Sequence, residues 1–145
     1  MQLYLLLGTL LLISGAHSAP ISSDLQVEIY RQQIIAVSNG ARRITADKKN
    51  IAVMPEMTYD IGYEDRLIRF GCKKPPVGNY EFVEIPEKDM EKIRKVDRDN
   101  KEEAIRAAFG LSVIDNFIDP HYTRVGCAQC FDWHKVSCLV GPKYH

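Results

Sequence analysis

The first clear pattern in the chain is a stripe of apolar positions that recur at alternating spacings of four and three residues after residue 22. This spacing predicts one buried face of an amphipathic helix. Ser23 or Asp24 can cap its N-terminus, and we expect the helix to run to about Thr45. The stripe consists of Tyr30, Ile34, Val37, Ala41 and Ile44.

Two features modify this first helix. Gly40 interrupts the stripe at a cost of about 1 kcal/mol in helix propensity, which indicates a close packing contact or a bend. Basic residues fall away from the stripe, and we expect them to lie on a solvated outer face or at the helix exit. They are Arg31, Arg42, Arg43, Lys48 and Lys49.

Three shorter helices are predicted further along. One begins at Thr58 or Asp60, one opens with Pro86 at its first position, and one is capped by Asn100 and stopped by Gly110. Gly71 suits a left-handed cap at the end of the first of these. The apolar positions expected on their inner faces are Tyr63, Leu67 and Phe70, then Met90, Ile93 and Val96, then Ile105, Ala108 and Phe109.

Strand-like segments follow a different pattern, rich in β-branched and aromatic residues. We predict strands at residues 80–85, 122–128 and 133–140, the last two as an antiparallel pair. Residues 51–55 form an apolar connector across the core, and residues 111–118 form a buried strand or an irregular core segment. The sequence therefore predicts an α+β domain in which helices cover a small antiparallel sheet.

The N-terminus indicates the compartment. An apolar run is followed by small residues, with Ala16 and Ser18 at the positions expected before a signal-peptidase cut. We interpret residues 1–18 as a signal peptide and residues 19–145 as a single domain. The run lacks a preceding Lys or Arg, so an uncleaved anchor is the alternative. A secreted, extracellular protein is the expected outcome, with no stable membrane insertion after cleavage.

Charge argues against one class of partner. The 145-residue chain has 19 basic and 19 acidic residues, so its formal net charge is zero. A nucleic-acid binder normally shows a basic surplus. We therefore expect no nucleic-acid partner.

Three of the four cysteines lie close together near the C-terminus, at positions 127, 130 and 138, and the fourth is Cys72. With His134, the three clustered cysteines have spacing that a small zinc site can use. In an oxidising compartment, an even number of cysteines indicates disulfides instead, and we predict two. The residues themselves leave three pairings open.

Several motifs occur in the order found in the CAP superfamily (cysteine-rich secretory, antigen 5 and pathogenesis-related proteins). Residues 38–42, Ser-Asn-Gly-Ala-Arg, resemble a His-Asn-x-x-Arg motif without its His. Residues 54–60 resemble a Met-x-x-Leu-x-Trp/Tyr-Asp motif that leads through a helix to a Cys. Residues 124–128, Arg-Val-Gly-Cys-Ala, with Cys130 and Cys138, resemble the family's C-terminal pattern. The chain is most similar to small, divergent SCP-like secreted proteins of nematodes.

This resemblance implies a truncated CAP-like α-β-α sandwich with the disulfides Cys72–Cys130 and Cys127–Cys138. Family members often hold a divalent metal between two His and two Glu. Here the two His positions correspond to Ser38 and Val113, and Glu81 stands loosely where one glutamate belongs. The resemblance therefore implies that the metal cleft is lost and that Glu81 is an ordinary strand carboxylate.

No other catalytic arrangement emerges, because His121, His134 and His145 are scattered and no Ser lies in a nucleophile-elbow sequence. We predict no enzyme activity, no catalytic residue, no cofactor and no metal. The expected function is an extracellular binding or interaction protein, whose partner is an unknown protein or lipid. The alternative is a lipid or sterol carrier, for which residues 51–55 and 111–118 are the only apolar candidates for a ligand groove.

Overall fold

The computed structural model describes residues 23–130 and 135–142, and helices and strands both occur along this part of the chain. This combination confirms an α+β domain. In chain order, the elements are α1 Ser23–Lys49, β1 Thr58–Tyr59, α2 Ile61–Arg69, β2 Glu81–Pro86, α3 Glu87–Arg94, α4 Lys101–Phe109, α5 Ile114–Phe117, β3 Arg124–Ala128 and β4 Lys135–Gly141. Within the described residues, no helix is both long enough and apolar enough to cross a bilayer.

The four strands form one sheet in the order β1-β3-β4-β2. The β3–β4 and β2–β4 pairs are antiparallel, as the sequence predicts, and Cys127 lies directly opposite Cys138. The short β1 adds a parallel pair with β3, with Tyr59 opposite Val125. Of the two starts predicted for the second helix, Asp60 is confirmed, since it caps α2 by accepting a hydrogen bond of 3.1 Å from the Tyr63 backbone N–H. Thr58 belongs to β1 instead.

Helices cover both faces of the sheet. On one face, Val136, Cys138 and Val140 of β4 join the main core cluster with Ile34, Val37 and Ala41 of α1 and Met90 and Ile93 of α3. On the other face, Leu139 packs with Leu67 of α2 and with Ala128. This arrangement confirms the predicted α-β-α layering, and it explains why both alternating faces of β4 are buried.

Gly126 allows α2 to lie directly on the sheet. A Cβ atom at this position would come within 2.4 Å of the Asp60 carbonyl oxygen and 2.8 Å of the Glu64 backbone nitrogen. These neighbours are backbone atoms and cannot move aside without shifting the helix. The glycine in the Val-Gly-Cys motif is therefore required by the closeness of α2 to β3.

For residues 111–118 the strand alternative is wrong and the irregular core segment is confirmed, since only Ile114–Phe117 are helical, as the one-turn helix α5, and Leu111 and Phe117 are buried. The expectation for Phe109 is wrong. Phe109 does not face inward, since it is 47% exposed and lies beneath the Lys48 ammonium, which is 5.5 Å from the ring centroid. By contrast, Asn100 caps α4 as predicted, accepting a hydrogen bond of 3.1 Å from the Glu103 backbone N–H.

Candidate functional site

A network of polar side chains joins α1, β1, α2 and β3 at one side of the sheet. Arg31 on α1 makes two hydrogen bonds to Glu64 on α2, from Nε at 3.0 Å and from Nη2 at 2.6 Å. The Tyr59 hydroxyl also donates to Glu64, and the Arg31 guanidinium lies 5.5 Å from the centre of the Tyr59 ring. The Cys127 backbone N–H donates to the Tyr59 oxygen at 3.1 Å.

Two groups in this network, Tyr59 and Arg31, have pKa values shifted by their surroundings. Burial raises the pKa of Tyr59, and its hydrogen bond to Glu64 adds to the rise. The hydrogen bond to Glu64 raises the pKa of Arg31. Tyr59 therefore stays neutral and Arg31 stays charged at physiological pH. Both Glu64 oxygens accept hydrogen bonds from neighbouring side chains, so this carboxylate ties α1, β1 and α2 together.

Beside this network lies an open groove of about 750 Å³. Arg31 and Tyr59 form part of its wall, together with Ile35 and Ala36 of α1. Most of the remaining lining is charged or polar: Glu28, Gln32, Asn39, Arg43, Glu56, Arg98 and Asp99. A second groove of about 360 Å³ shares Asn39, Arg43 and Glu56 with it and extends along α1 to residues 51–55. Together they form one surface of mixed charge, which we call the α1 groove.

Arg42 is placed differently from the prediction. The sequence assigned it to a solvated face, yet it is 1% exposed. Its guanidinium donates at 2.8 Å to the Pro55 carbonyl and at 2.8 Å to the Tyr122 carbonyl. It also donates to the carbonyls of Phe117 at 3.0 Å and Asp119 at 2.8 Å. Burial lowers the pKa of Arg42.

The Arg42 misassignment has a physical reason. Ser38, Arg42 and Thr45 follow helical spacing and are all buried, so α1 has a second inward face made of polar residues. Apolar periodicity alone does not detect such a face. The sequence feature that could have identified Arg42 as a buried residue is the Asn-x-x-Arg motif, here residues 39–42. Arg31, also expected to be solvated, keeps only 22% of its side chain exposed because it pairs with Glu64, whereas Arg43, Lys48 and Lys49 are exposed as predicted.

Ser38 and Val113, which the family resemblance places at the two imidazole positions, both serve packing. Ser38 is 1% exposed, and its hydroxyl donates at 2.8 Å to the Ile34 carbonyl of its own helix. Val113 packs against the main core cluster. Near Ser38, Gly40 meets α4, since a Cβ there would lie 3.1 Å from Ile105 Cγ1. The predicted close contact at Gly40 is therefore confirmed.

Glu81 and Asp89 are the other acidic side chains that face inward. Glu81 accepts a hydrogen bond from the Tyr122 hydroxyl. Burial, with this bond, raises the pKa of Tyr122 to about 12. Asp89 is fully buried, and its Oδ2 accepts from the Ser112 backbone N–H at 2.9 Å and from its hydroxyl at 2.6 Å.

The second oxygen of Asp89, Oδ1, is buried and has no hydrogen-bond partner. Asp89 is the third residue of α3, from which a carboxylate can reach back to the N–H of the capping residue. The capping residue here is Pro86, which has no N–H. The unpaired oxygen thus follows from the proline cap and does not by itself indicate a ligand.

The cysteines form two disulfides, Cys72–Cys130 and Cys127–Cys138. This is the pairing that the family resemblance implies. The zinc alternative loses its thiolates, because all three clustered cysteines are oxidised; its fourth ligand, His134, lies outside the described residues. In the part of the chain that the structure describes, no three His, Cys, Asp or Glu side chains form a group that can hold a metal ion.

His121 is the one histidine within the described ranges, since positions 17, 134 and 145 fall outside them. The His121 ring is 2.8 Å from an oxygen of Asp119, and its side chain is 78% exposed. Neither residue lines the α1 groove. The described part of the site therefore contains no imidazole positioned to act as a base.

Comparison with solved structures defines the fold, which is that of the CAP/SCP-like secreted proteins of nematodes. The hookworm platelet inhibitor matches with a TM-score of 0.50 and 18% identity, over 88% of this chain and 74% of that chain. The Ancylostoma-secreted protein Ac-ASP-7 matches with a TM-score of 0.51 and 18% identity, over 79% of this chain and 69% of that chain.

A manganese-bound form of Ac-ASP-7 matches equally well, with a TM-score of 0.51 and 18% identity, over 80% of this chain and 69% of that chain. No family model and no curated protein sequence matches this chain. At 18% identity, the likeness establishes the fold and leaves the role of individual residues to their own geometry.

Proposed function

We propose that this chain is a secreted, non-enzymatic binding protein of the CAP type that has lost the family's metal cleft. One observation carries the proposal: the carboxylates of Glu64, Glu81 and Asp89 already accept hydrogen bonds from neighbouring side chains, although Asp89 Oδ1 stays unpaired. Glu64 is bound by Arg31 and Tyr59, Glu81 by Tyr122, and Asp89 by Ser112. Glu64 accepts three hydrogen bonds, two from Arg31 and one from Tyr59, so few of its lone pairs are left for a metal ion or for a substrate proton.

The loss of the imidazoles supports the same conclusion. In the cleft that the family resemblance implies, the divalent metal is held by two imidazoles as well as by two carboxylates, a ligand set that suits zinc and similar ions. At the two corresponding positions this chain has a hydroxyl bonded to its own helix and an apolar valine. Restoring a metal site would require both substitutions and the release of at least one carboxylate from its partner.

The α1 groove is the surface we propose for a partner. It is open, and its charged and polar lining comes with short apolar patches at Ile35, Ala36 and Ile61. Ile61 is 55% exposed at its edge. Mixed polar and apolar lining of this kind suits a protein segment better than a lipid tail.

Equilibrium dialysis against MnCl₂ and against ZnCl₂, followed by elemental analysis, tests the loss of the cleft. Ac-ASP-7, which has been solved with manganese, is the matched positive control. We expect this chain to retain no manganese or zinc above the buffer blank while Ac-ASP-7 retains its ion. One ion per chain in this protein would overturn the proposal.

The lipid-carrier alternative is less well supported. Residues 51–55 contribute Ile51, Ala52, Met54 and Pro55 to the second part of the groove, but Arg42, Asp47 and Glu56 line it as well. Residues 111–118 are occupied in core packing. We expect organic extraction of the secreted protein to yield no lipid; a stoichiometric lipid or sterol would establish the carrier function instead.

Platelets are one target to assay, because a protein of the same fold is a platelet inhibitor. The variant Arg43→Glu reverses an exposed charge in the α1 groove, and Lys101→Glu makes the same change at the exposed start of α4. If the groove binds a platelet protein, the first variant weakens cell binding and the second does not. Equal binding of the two variants to platelets would show that the α1 groove is not the binding surface.

A further inference from the structure

The segment from residue 66 to residue 80 carries an unbalanced positive charge. It runs from the last turn of α2 through the loop that leads to β2. The chain as a whole has zero net charge, but this segment has four cationic residues and no acidic one. The four are Arg66, Arg69, Lys73 and Lys74.

These four cations have no acidic partner within the described residues. None of them takes part in the ion pairs of 4.0 Å or less found there. The acidic residues that flank the segment in sequence are Asp65, which is exposed, and Glu81, which accepts a hydrogen bond from the Tyr122 hydroxyl. Arg66 is half-buried, while Arg69, Lys73 and Lys74 are exposed. The positive charge is therefore available to an external anion.

Apolar side chains are exposed among these cations. Ile68 is 56% exposed, Phe70 39% and Val77 100%. They account for three of the seven large apolar side chains exposed in the described ranges. Isolated exposed apolar residues are ordinary, but three of them within one cationic segment form a surface with a distinct character. We call residues 66–80 the basic loop.

The basic loop is held in place by specific contacts. The Tyr80 hydroxyl donates to the Pro76 carbonyl, and Arg66 lies 5.2 Å from the centre of the Tyr80 ring. Gly78 packs against the same ring so closely that a Cβ would come within 2.4 Å of it. At the other end, Cys72 is joined to Cys130, and the Ser137 hydroxyl donates at 2.9 Å to the Cys72 carbonyl. Val77 is thus presented to solvent by a loop anchored on both sides.

We propose that the basic loop docks on membrane surfaces that contain anionic phospholipid. The negative surface potential of such a membrane attracts lysine and arginine side chains, and each of them raises the affinity for the membrane by about a factor of five. The exposed Val77 and Phe70 gain by entering the boundary between headgroups and acyl chains. A sulfated polysaccharide needs the cations but has no apolar layer to receive these side chains, so it explains the surface less completely. The association is peripheral and reversible.

Vesicle sedimentation of the purified secreted protein tests this proposal. Vesicles of phosphatidylcholine with about one third phosphatidylserine provide the anionic surface, and pure phosphatidylcholine vesicles are the control. We expect binding to the first and not to the second. Lys73→Gln with Lys74→Gln should lower the affinity at least tenfold, in line with two lost cations.

Two further variants identify the site. Lys48→Gln with Lys49→Gln removes the same charge at the exposed end of α1 and should leave vesicle binding within twofold of the parent protein. Val77→Ser keeps all charges and should weaken binding several-fold at raised salt, where the apolar contribution remains. Because Val77 is fully exposed, this variant does not disturb the fold.

Three results would overturn the proposal. One is equal binding to anionic and neutral vesicles. Another is an equal loss of vesicle affinity in the two double variants, Lys73→Gln with Lys74→Gln and Lys48→Gln with Lys49→Gln. The third is binding to heparin without binding to either vesicle, which would assign the basic loop to sulfated polysaccharide. None of these outcomes depends on the α1 groove or on metal, so the proposal can fail independently of the function proposed above.

Discussion

Arg31 and Glu64 face each other through two hydrogen bonds, of 3.0 and 2.6 Å, that fasten the long helix α1 to α2 across the edge of the sheet. Both side chains are mostly removed from solvent, with 22% and 10% of their area exposed. The paired geometry makes this contact stronger than an ordinary surface ion pair. The same two hydrogen bonds engage both oxygens of the Glu64 carboxylate, which lies beside the α1 groove.

A double-mutant cycle measures this contact. We expect Arg31→Met and Glu64→Gln each to lower the free energy of unfolding by about 1 to 3 kcal/mol, with a coupling energy of about 1 kcal/mol, in urea denaturation. The control cycle uses Arg98→Met and Asp99→Asn, an exposed pair separated by 4.0 Å, for which we expect no measurable coupling. Equal coupling in the two cycles would contradict the structural role given to Glu64.

Arg42 provides a second test. Arg42→Met removes a hydrogen-bond donor from four backbone carbonyls in a largely buried site, and of these the Asp119 carbonyl keeps a second bond, from the Tyr122 backbone N–H at 3.2 Å. We expect a loss of about 3 to 5 kcal/mol in the free energy of unfolding. Arg43→Met, at the exposed neighbouring position, should change stability by less than about 0.5 kcal/mol. Similar stability of the two variants would show that Arg42 is not buried as described.

Gly126→Ala tests the contact between α2 and β3. The added Cβ meets backbone atoms at 2.4 and 2.8 Å, so α2 must move away from the sheet. We expect a loss of about 3 kcal/mol or more, measured by thermal unfolding. Gly110→Ala is the matched control, because its φ of −87° suits any residue and its nearest atom is 3.3 Å away. A small effect at Gly126 would mean that α2 lies farther from the sheet.

Stability should fall at alkaline pH. The pKa of Tyr122 is raised to about 12, above the value of about 10 for tyrosine in an unfolded chain. The folded state therefore holds this proton more tightly, and the stability it contributes is complete below about pH 10 and is lost as the pH rises toward 12. Burial raises the pKa of Tyr30 and of Tyr59 too, in the same direction.

Urea unfolding at about pH 8 and about pH 11 measures this loss, with tyrosinate absorbance recorded in parallel. Tyr122→Phe cannot ionise at this position, so it should show a smaller drop between the two pH values than the parent protein. An identical drop in both proteins would remove Tyr122 from the explanation.

Sequence reasoning succeeded where local periodicity and capping decide the structure. The α1 stripe, the Asp60 and Asn100 caps and the β3–β4 pair are all encoded in neighbouring residues. The apolar stripe predicts an end of α1 near Thr45, but the helix continues for one more turn to Lys49, because residues 46–49 contain no residue that stops a helix. The helix ends where Asn50 adopts a positive φ of 51°.

The features that sequence reasoning missed depend on distant contacts. The strand β1 has only two residues and forms because β3 lies beside it. A segment this short has no alternation of apolar and polar residues from which a strand could be predicted. Arg42 is buried because four carbonyls from residues 55 to 122 converge on it, which helical periodicity cannot reveal. The Arg31–Glu64–Tyr59 network likewise joins residues from three separate elements. None of these three residues was proposed for the site in advance.

Mass spectrometry of the secreted protein without reduction tests the proposal of a secreted CAP-type domain that is fastened by two disulfides and binds no metal. We expect a mature chain that begins at Ala19 and contains the linked peptides Cys72–Cys130 and Cys127–Cys138. Four free thiols, a different pairing, or zinc bound at the clustered cysteines would contradict it.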